Sequence, residues 1–253
     1  MKIIQEREDK LREPTDLDDY LVHISKTYSD HKFLGGATQG IYKRQVSLLG
    51  SIIRAKKNVL ESVQVLDWGT GKGHISYLLE KEGFQVTSCD VNQNTIDSTF
   101  GQITPIIEEH DINVIPLEHS WELPFQDNTF DVVVSFGVLE HVSHDQASLF
   151  EIRRVLRTGG IFFFSFLPYH YSWTQRIAHL RGNYYHDRLY SEQGVRCLAS
   201  NAHFRVEDMW HGQLFPKNSL SHSNFFERLD RTLCKHTPLR YFATNLEGIL
   251  IAE

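Results

Sequence analysis

The stretch Val65-Leu66-Asp67-Trp68-Gly69-Thr70-Gly71-Lys72-Gly73-His74 constrains the fold of this chain more than any other. It reads as a buried strand that ends on an acid, turns on three glycines and enters a helix at about Ile75. Glycine serves such a turn in two ways: positive φ costs it little, and the missing Cβ lets a ligand lie on the backbone. The next strand-like run, Phe84-Gln85-Val86-Thr87-Ser88-Cys89-Asp90, also ends on an acid, about 20 residues after the first glycine. An acid there accepts hydrogen bonds from both hydroxyls of a ribose. Together the two runs predict a nucleoside-binding α/β domain.

The glycine spacing narrows the nucleoside. A dinucleotide fingerprint, G-x-G-x-x-G, requires a glycine where His74 stands, so an NAD-dependent oxidoreductase is disfavoured. The pattern present is D-x-G-x-G-x-G, from Asp67 to Gly73, which resembles motif I of the class I S-adenosylmethionine (SAM)-dependent methyltransferases. A second block, from Leu123-Pro124-Phe125-Gln126-Asp127 through Phe130-Asp131 to Leu139-Glu140-His141-Val142, is similar to one found in the type 11 small-molecule methyltransferases. Glu151-Ile152-Arg153-Arg154-Val155-Leu156-Arg157-Thr158-Gly159-Gly160 resembles that family's next helix and turn. The three blocks keep the family's order and cover about residues 60–167. The resemblance implies a Rossmann-like, mostly parallel seven-stranded sheet with helices on both faces and an antiparallel last strand.

Composition sets outer bounds. The chain has 253 residues, 41% of them apolar, enough for one α/β domain with additions. No apolar run approaches the ~18–20 residues of a membrane span. The charged N-terminus offers no signal-peptide core. Cys89, Cys197 and Cys234 show no metal-ligand spacing, and no H-E-x-x-H or C-x-x-C cluster is present, so no metal is expected. A reduced, cytoplasmic protein is the simplest expectation. A net charge of −6 argues against general nucleic-acid binding. Pro168 to Ala243 nevertheless holds ten Lys/Arg against six Asp/Glu and seven histidines, which suits either surface variation or cover for an anionic substrate.

Along the chain, residues 1–16 are polar and Leu17 to about Asn58 has helical periodicity, broken at Gly35-Gly36, which together predict an N-terminal helical part over 1–58. The resemblance makes it a cap over the cofactor, with Tyr20, Tyr28 and Arg44 as candidate contributors or, equally, as residues packing on the sheet edge. Alternating strands and helices predict a core over 59–167. Residues 168–253 complete the sheet and carry two segments too long for ordinary loops, about 168–190 and 213–243, expected to face the substrate.

Site residues follow from these placements. Asp67, Gly69, Thr70, Gly71 and Gly73 are expected at the methionine part of SAM, Asp90 at its ribose and Val91 at adenine. The family pattern has Asp where His119 stands, so adenine recognition is expected to rest on Ser120 and Trp121. Phe136 should lie by the methyl group. His141 and His170 are candidate proton acceptors near neutral pH, beside a packing role for His141. Tyr169, Tyr184, Tyr185 and His186 are candidate acceptor contacts, or equally a dimer interface. The expected activity is methyl transfer to a small molecule, foremost at a hydroxyl oxygen of a saccharide, glycolipid or other biosynthetic intermediate, yielding S-adenosylhomocysteine (SAH). Methylation at nitrogen or carbon, and a non-catalytic SAM-binding scaffold, are the alternatives; a monomer or a homodimer suits either.

Overall fold

The computed structural model describes residues 36–56, 62–91, 105–182, 186, 188–216, 220 and 224–253. Tyr20, Tyr28, Tyr184 and Tyr185 lie outside the described residues.

Seven strands form one sheet in the order β3-β2-β1-β4-β5-β7-β6. They are β1 Gln64–Trp68, β2 Gln85–Val91, β3 Val114–Leu117, β4 Phe130–Phe136, β5 Leu156–Pro168, β6 Phe204–Gly212 and β7 Asn245–Ala252. The first five pair in parallel, and β7 runs antiparallel to both of its neighbours, as the resemblance implied. The chain leaves β1 toward β2 on one side and reaches β4 on the other. The carboxyl ends of β1 and β4 therefore flank the crevice where such sheets bind ligands.

The apolar pattern explains how each face is covered. Tyr42, Val46, Leu49 and Ile53, at helical spacing on α1 (Gly36–Lys56), join Ile75 and Leu78 of α2 (His74–Lys81). With Val65, Val132, Val134, Phe163 and Ile249 they fill one face. The residues expected to cap the cofactor thus include a helix that covers the sheet itself. A short α3 (Pro105–Glu109) brings Ile106 against Tyr77 and Ile112. Leu149, Ile152 and Val155 of α4 (Asp145–Val155) fill the opposite face with Leu66, Val133 and Phe162.

Both long C-terminal segments contain helices that their sequences did not announce. The first holds α5 (Trp173–Leu180), started by Ser172, whose hydroxyl accepts from the Gln175 amide. After α6 (Glu192–Asn201) and β6, the second holds α7 (Asn224–His236) and a 3-10 helix, Pro238–Phe242. Buried Asp230 of α7 accepts from the Phe215 amide at 2.9 Å, tying this segment to the end of β6. No described helix is long and apolar enough to cross a membrane.

Candidate cofactor and acceptor site

The three glycines of the first turn do three different jobs. All have positive φ: 82° at Gly69, 54° at Gly71 and 81° at Gly73. A Cβ on Gly69 would collide with the Val138 side chain, so this position lets the turn after β4 lie against the turn after β1. A Cβ on Gly73 would stand 2.8 Å from Ile107 Cγ1, so this glycine admits α3. Only at Gly71 is the space open, the nearest heavy atom being Gly69 O at 3.9 Å. The room expected for a ligand on the backbone is concentrated there.

The turn's own amides are mostly committed. Gly69 and Thr70 donate to Cys89 O at 2.9 and 3.1 Å, and Gly73 donates to Thr70 O at 3.0 Å. Gly71 N donates to Asp90 Oδ2 at 2.6 Å, while Asp90 Oδ1 accepts from the Val91 amide at 2.7 Å. Asp90 thus sits at the crevice and also holds the turn. Burial raises its carboxyl above the usual range, opposed by these two bonds. Each carboxylate oxygen has a second lone pair for a ribose hydroxyl.

Asp67 is more deeply placed. Its Oδ2 accepts from Ser76 Oγ at 2.6 Å, and the Ser76 amide also donates to the carboxylate. It therefore satisfies a first-turn donor of α2 from the end of β1. Desolvation pushes its pKa up to about 7. His74, which broke the dinucleotide pattern, is buried with its ring 4.5 Å from that of Tyr42. Burial pushes its pKa down to about 4, so it is neutral near pH 7. Tyr42 also packs edge-on against Phe166 and Phe136, at 5.0 and 6.2 Å. Phe136 closes β4, and Phe166 sits at φ 63° where β5 and β7 shift register. A bulky residue in that conformation costs about 1–3 kcal/mol and is held by surrounding packing. Nothing in the sequence pointed to Tyr42 or Phe166.

After β3, His119 and Trp121 stack at 4.7 Å and 2°, His144 meets the Trp121 ring edge-on, and Ser120 is buried. This stacked pair follows β3, the strand paired with the one that carries Asp90.

Across the crevice the turn after β4 carries Glu140 and His141. The Glu140 side chain is 2% exposed, with His141 Nε2 3.9 Å from its Oε1. Its Oε2 is buried and has no hydrogen-bond partner among the described residues. Desolvation pushes its pKa up to about 8. His186 arrives from the first C-terminal segment, its ring 5.5 Å from that of His141. Two neighbours of His186 pin this segment. Arg188 donates to Val142 O at 2.8 Å and pairs with Asp145 at 3.4 Å. The Tyr190 hydroxyl lies 3.0 Å from Leu139 O and 3.1 Å from Asp145 Oδ2. The partners of Arg188 and Tyr190 are more than 40 residues away, so no local pattern in the sequence announces these bonds.

The other acceptor-side candidates separate from this group. His170 lies on the exposed turn after β5 against Tyr171, at 4.8 Å. Tyr169 is buried, with its ring 4.7 Å from that of His211.

Part of the second sequence block is structural. Arg154 donates to Leu123 O, Phe125 O, Asp127 and Glu151 at 2.7–2.9 Å, clamping the loop before β4. Asp131 accepts from the Gln64 amide at 2.9 Å and from Arg157 at 2.8 Å.

Comparison with known proteins agrees with this geometry. Residues 66–164 match a family described as a methyltransferase domain. The chain carries a class I, type 11 methyltransferase domain. SAM is the cofactor of that class. The domain is 31% identical over 109 residues to a ubiquinone biosynthesis O-methyltransferase of Rickettsia bellii, covering 43% of this chain and 44% of that protein. It is 35% identical over 103 residues to a ubiquinone/menaquinone biosynthesis C-methyltransferase of Zymomonas mobilis, covering 40% and 41%. The matches thus span less than half the length of these relatives. A solved SAM-dependent methyltransferase of Thermotoga maritima, described as a possible histamine N-methyltransferase, superposes with a TM-score of 0.56. It covers 92% of this chain and 100% of that one at 15% identity, a likeness of fold.

Proposed function

We propose that this protein transfers the methyl group of SAM to a hydroxyl oxygen of a small biosynthetic intermediate. One observation carries the reading: the Gly69–Val138 contact sets the cofactor turn directly beside the turn bearing Glu140 and His141. Asp90 then takes the ribose, the open face of Gly71 admits the ligand and Trp121 and Ser120 flank adenine. Asp67 fixes the start of α2 and adds negative charge near the ligand's cationic groups.

Methyl transfer from a sulfonium is an in-line displacement whose leaving group departs neutral. Alignment and exclusion of water can supply ~7–11 kcal/mol. Disposing of the hydroxyl proton adds ~10²–10⁴-fold, and His141 with Glu140 is the group proposed for it. His170, on its exposed turn, is proposed as a secondary acceptor contact. The named relatives divide between oxygen and carbon as the methylated atom. A proton-accepting group beside the methyl position favours oxygen. A hydroxylated ring or sugar suits the histidines, with Tyr184 and Tyr185 proposed as further contacts.

Calorimetric titration with SAH, with NAD in parallel, tests the cofactor. Radiolabel transfer from methyl-labelled SAM to catechols and to saccharides tests the acceptor. Micromolar SAH binding with labelled methyl ether supports the reading; label on carbon or nitrogen, or no SAH binding, overturns it.

A further inference from the structure

The sequence contains no contiguous metal motif, yet the fold gathers the parts of one. Ligand atoms of Glu140, His141 and His186 all lie within 4.8 Å of one another. Two imidazoles and a carboxylate around a first-row divalent cation place their donor atoms about 3.3–3.6 Å apart, so these groups need close by only about 1 Å. A second observation points the same way. Glu140 is buried, its Oε2 accepts nothing among the described residues, and its closest ion-pair partner is the distant edge of His141. A buried carboxyl oxygen left without a partner is costly, and a metal ligated there removes that cost.

We infer that Glu140, His141 and His186 form a binding site for a first-row divalent cation at the acceptor end of the crevice. Imidazole with carboxylate suits zinc, iron or nickel better than the oxygen-preferring magnesium, calcium and manganese, and cobalt serves as a visible probe of such a site. Arg188 and Tyr190, bonded to the carbonyls of Val142 and Leu139, set where His186 stands and act as positioning residues. Three protein ligands leave coordination positions open for substrate.

This deepens the methyl-transfer reading and rests on it for its chemistry. The acceptor hydroxyl binds at an open position, and the cation lowers its pKa, so its proton passes to water. The resulting oxyanion attacks the methyl carbon: a C–O bond forms, the C–S bond breaks, and sulfur keeps the electron pair as the neutral thioether. His141 is then a ligand rather than the base.

The test uses full-length, tag-free protein stripped with EDTA and titrated with Co²⁺, whose visible absorption intensifies on leaving its octahedral aqua state. SAH affinity is measured on the same preparations. The site predicts one strongly absorbing Co²⁺ per chain, displaced by Zn²⁺. Glu140→Gln and His186→Ala should each weaken Co²⁺ binding at least tenfold while SAH still binds, which also shows that the variants fold. A spectrum that stays that of aqueous Co²⁺, or Glu140→Gln binding as the parent does, overturns the site. Co²⁺ binding without SAH binding upholds the site and sinks the methyl-transfer reading; SAH binding without Co²⁺ does the reverse.

Discussion

The turn after β1 is made almost wholly of itself and the adjoining strand: Asp67, Thr70 and Gly73 are near neighbours, and Cys89 and Asp90 end the next strand. The turn after β4 is made by other parts of the chain. Glu140 and His141 are met by His186, held through Arg188 and Tyr190, and backed by Asp145. The first turn is shaped mainly by backbone and so tolerates few sequences. The second sets side chains across long separations and leaves room for variation. A shared cofactor beside an unshared acceptor is the expected result, and relatives named for O- and C-methylation share the same domain with this chain.

Four substitutions would break or sharpen that contrast. Gly69→Ala should have the largest effect, since its Cβ meets Val138 at φ 82°. Overpacking and left-handed strain together cost about 2–4 kcal/mol, read from urea unfolding, with SAH binding lost. A stable, SAH-binding variant would mean that the two turns are not coupled.

Asp90→Ala should raise the SAH dissociation constant ~10–100-fold, the loss of hydrogen bonds to a charged group. Because Asp90 also holds the Gly71 amide, about 1 kcal/mol of stability should go with it. Equal affinity in calorimetry would remove Asp90 from the ribose.

His74→Phe tests the packing behind the cofactor turn. The folded pKa, about 4, lies below the unfolded value near 6.5. Above pH 6.5 the buried neutral ring costs nothing; as pH falls toward 4 the unfolded state takes the proton first and stability drains away. The variant should lose less stability than the parent between pH 7 and 5, by about 1–2 kcal/mol. Parallel pH profiles would show that His74 is solvated.

Arg188→Met should act on the other side alone. About 1 kcal/mol of stability is lost, being a partly exposed ion pair and carbonyl contacts. Turnover should fall several-fold with SAH affinity unchanged. A change in SAH affinity would tie this segment to the cofactor instead.

The sheet was legible because buried parallel strands read as apolar runs bounded by turn residues; β4, Phe130–Phe136, is such a run. The glycine turn was legible for its φ requirement, though its three separate clearances were not. Arg154 and Asp131 stood in a recognised block but brace the loop before β4 and the start of β1. The helices of the two long C-terminal segments escaped because aromatic, charged and turn-forming residues mask their periodicity.

The amino-acid sequence by itself determined the alternation of strands and helices in the core, the glycine turn and the acid that faces it, because local spacing dictates backbone conformation. Only the tertiary structure decided which glycine stays open, that Tyr42 packs against a left-handed Phe166, and that His186 stands beside His141. Those contacts join residues far apart in the chain, where pairing is fixed by packing and hydrogen bonding of the finished sheet and carries no local periodic signal.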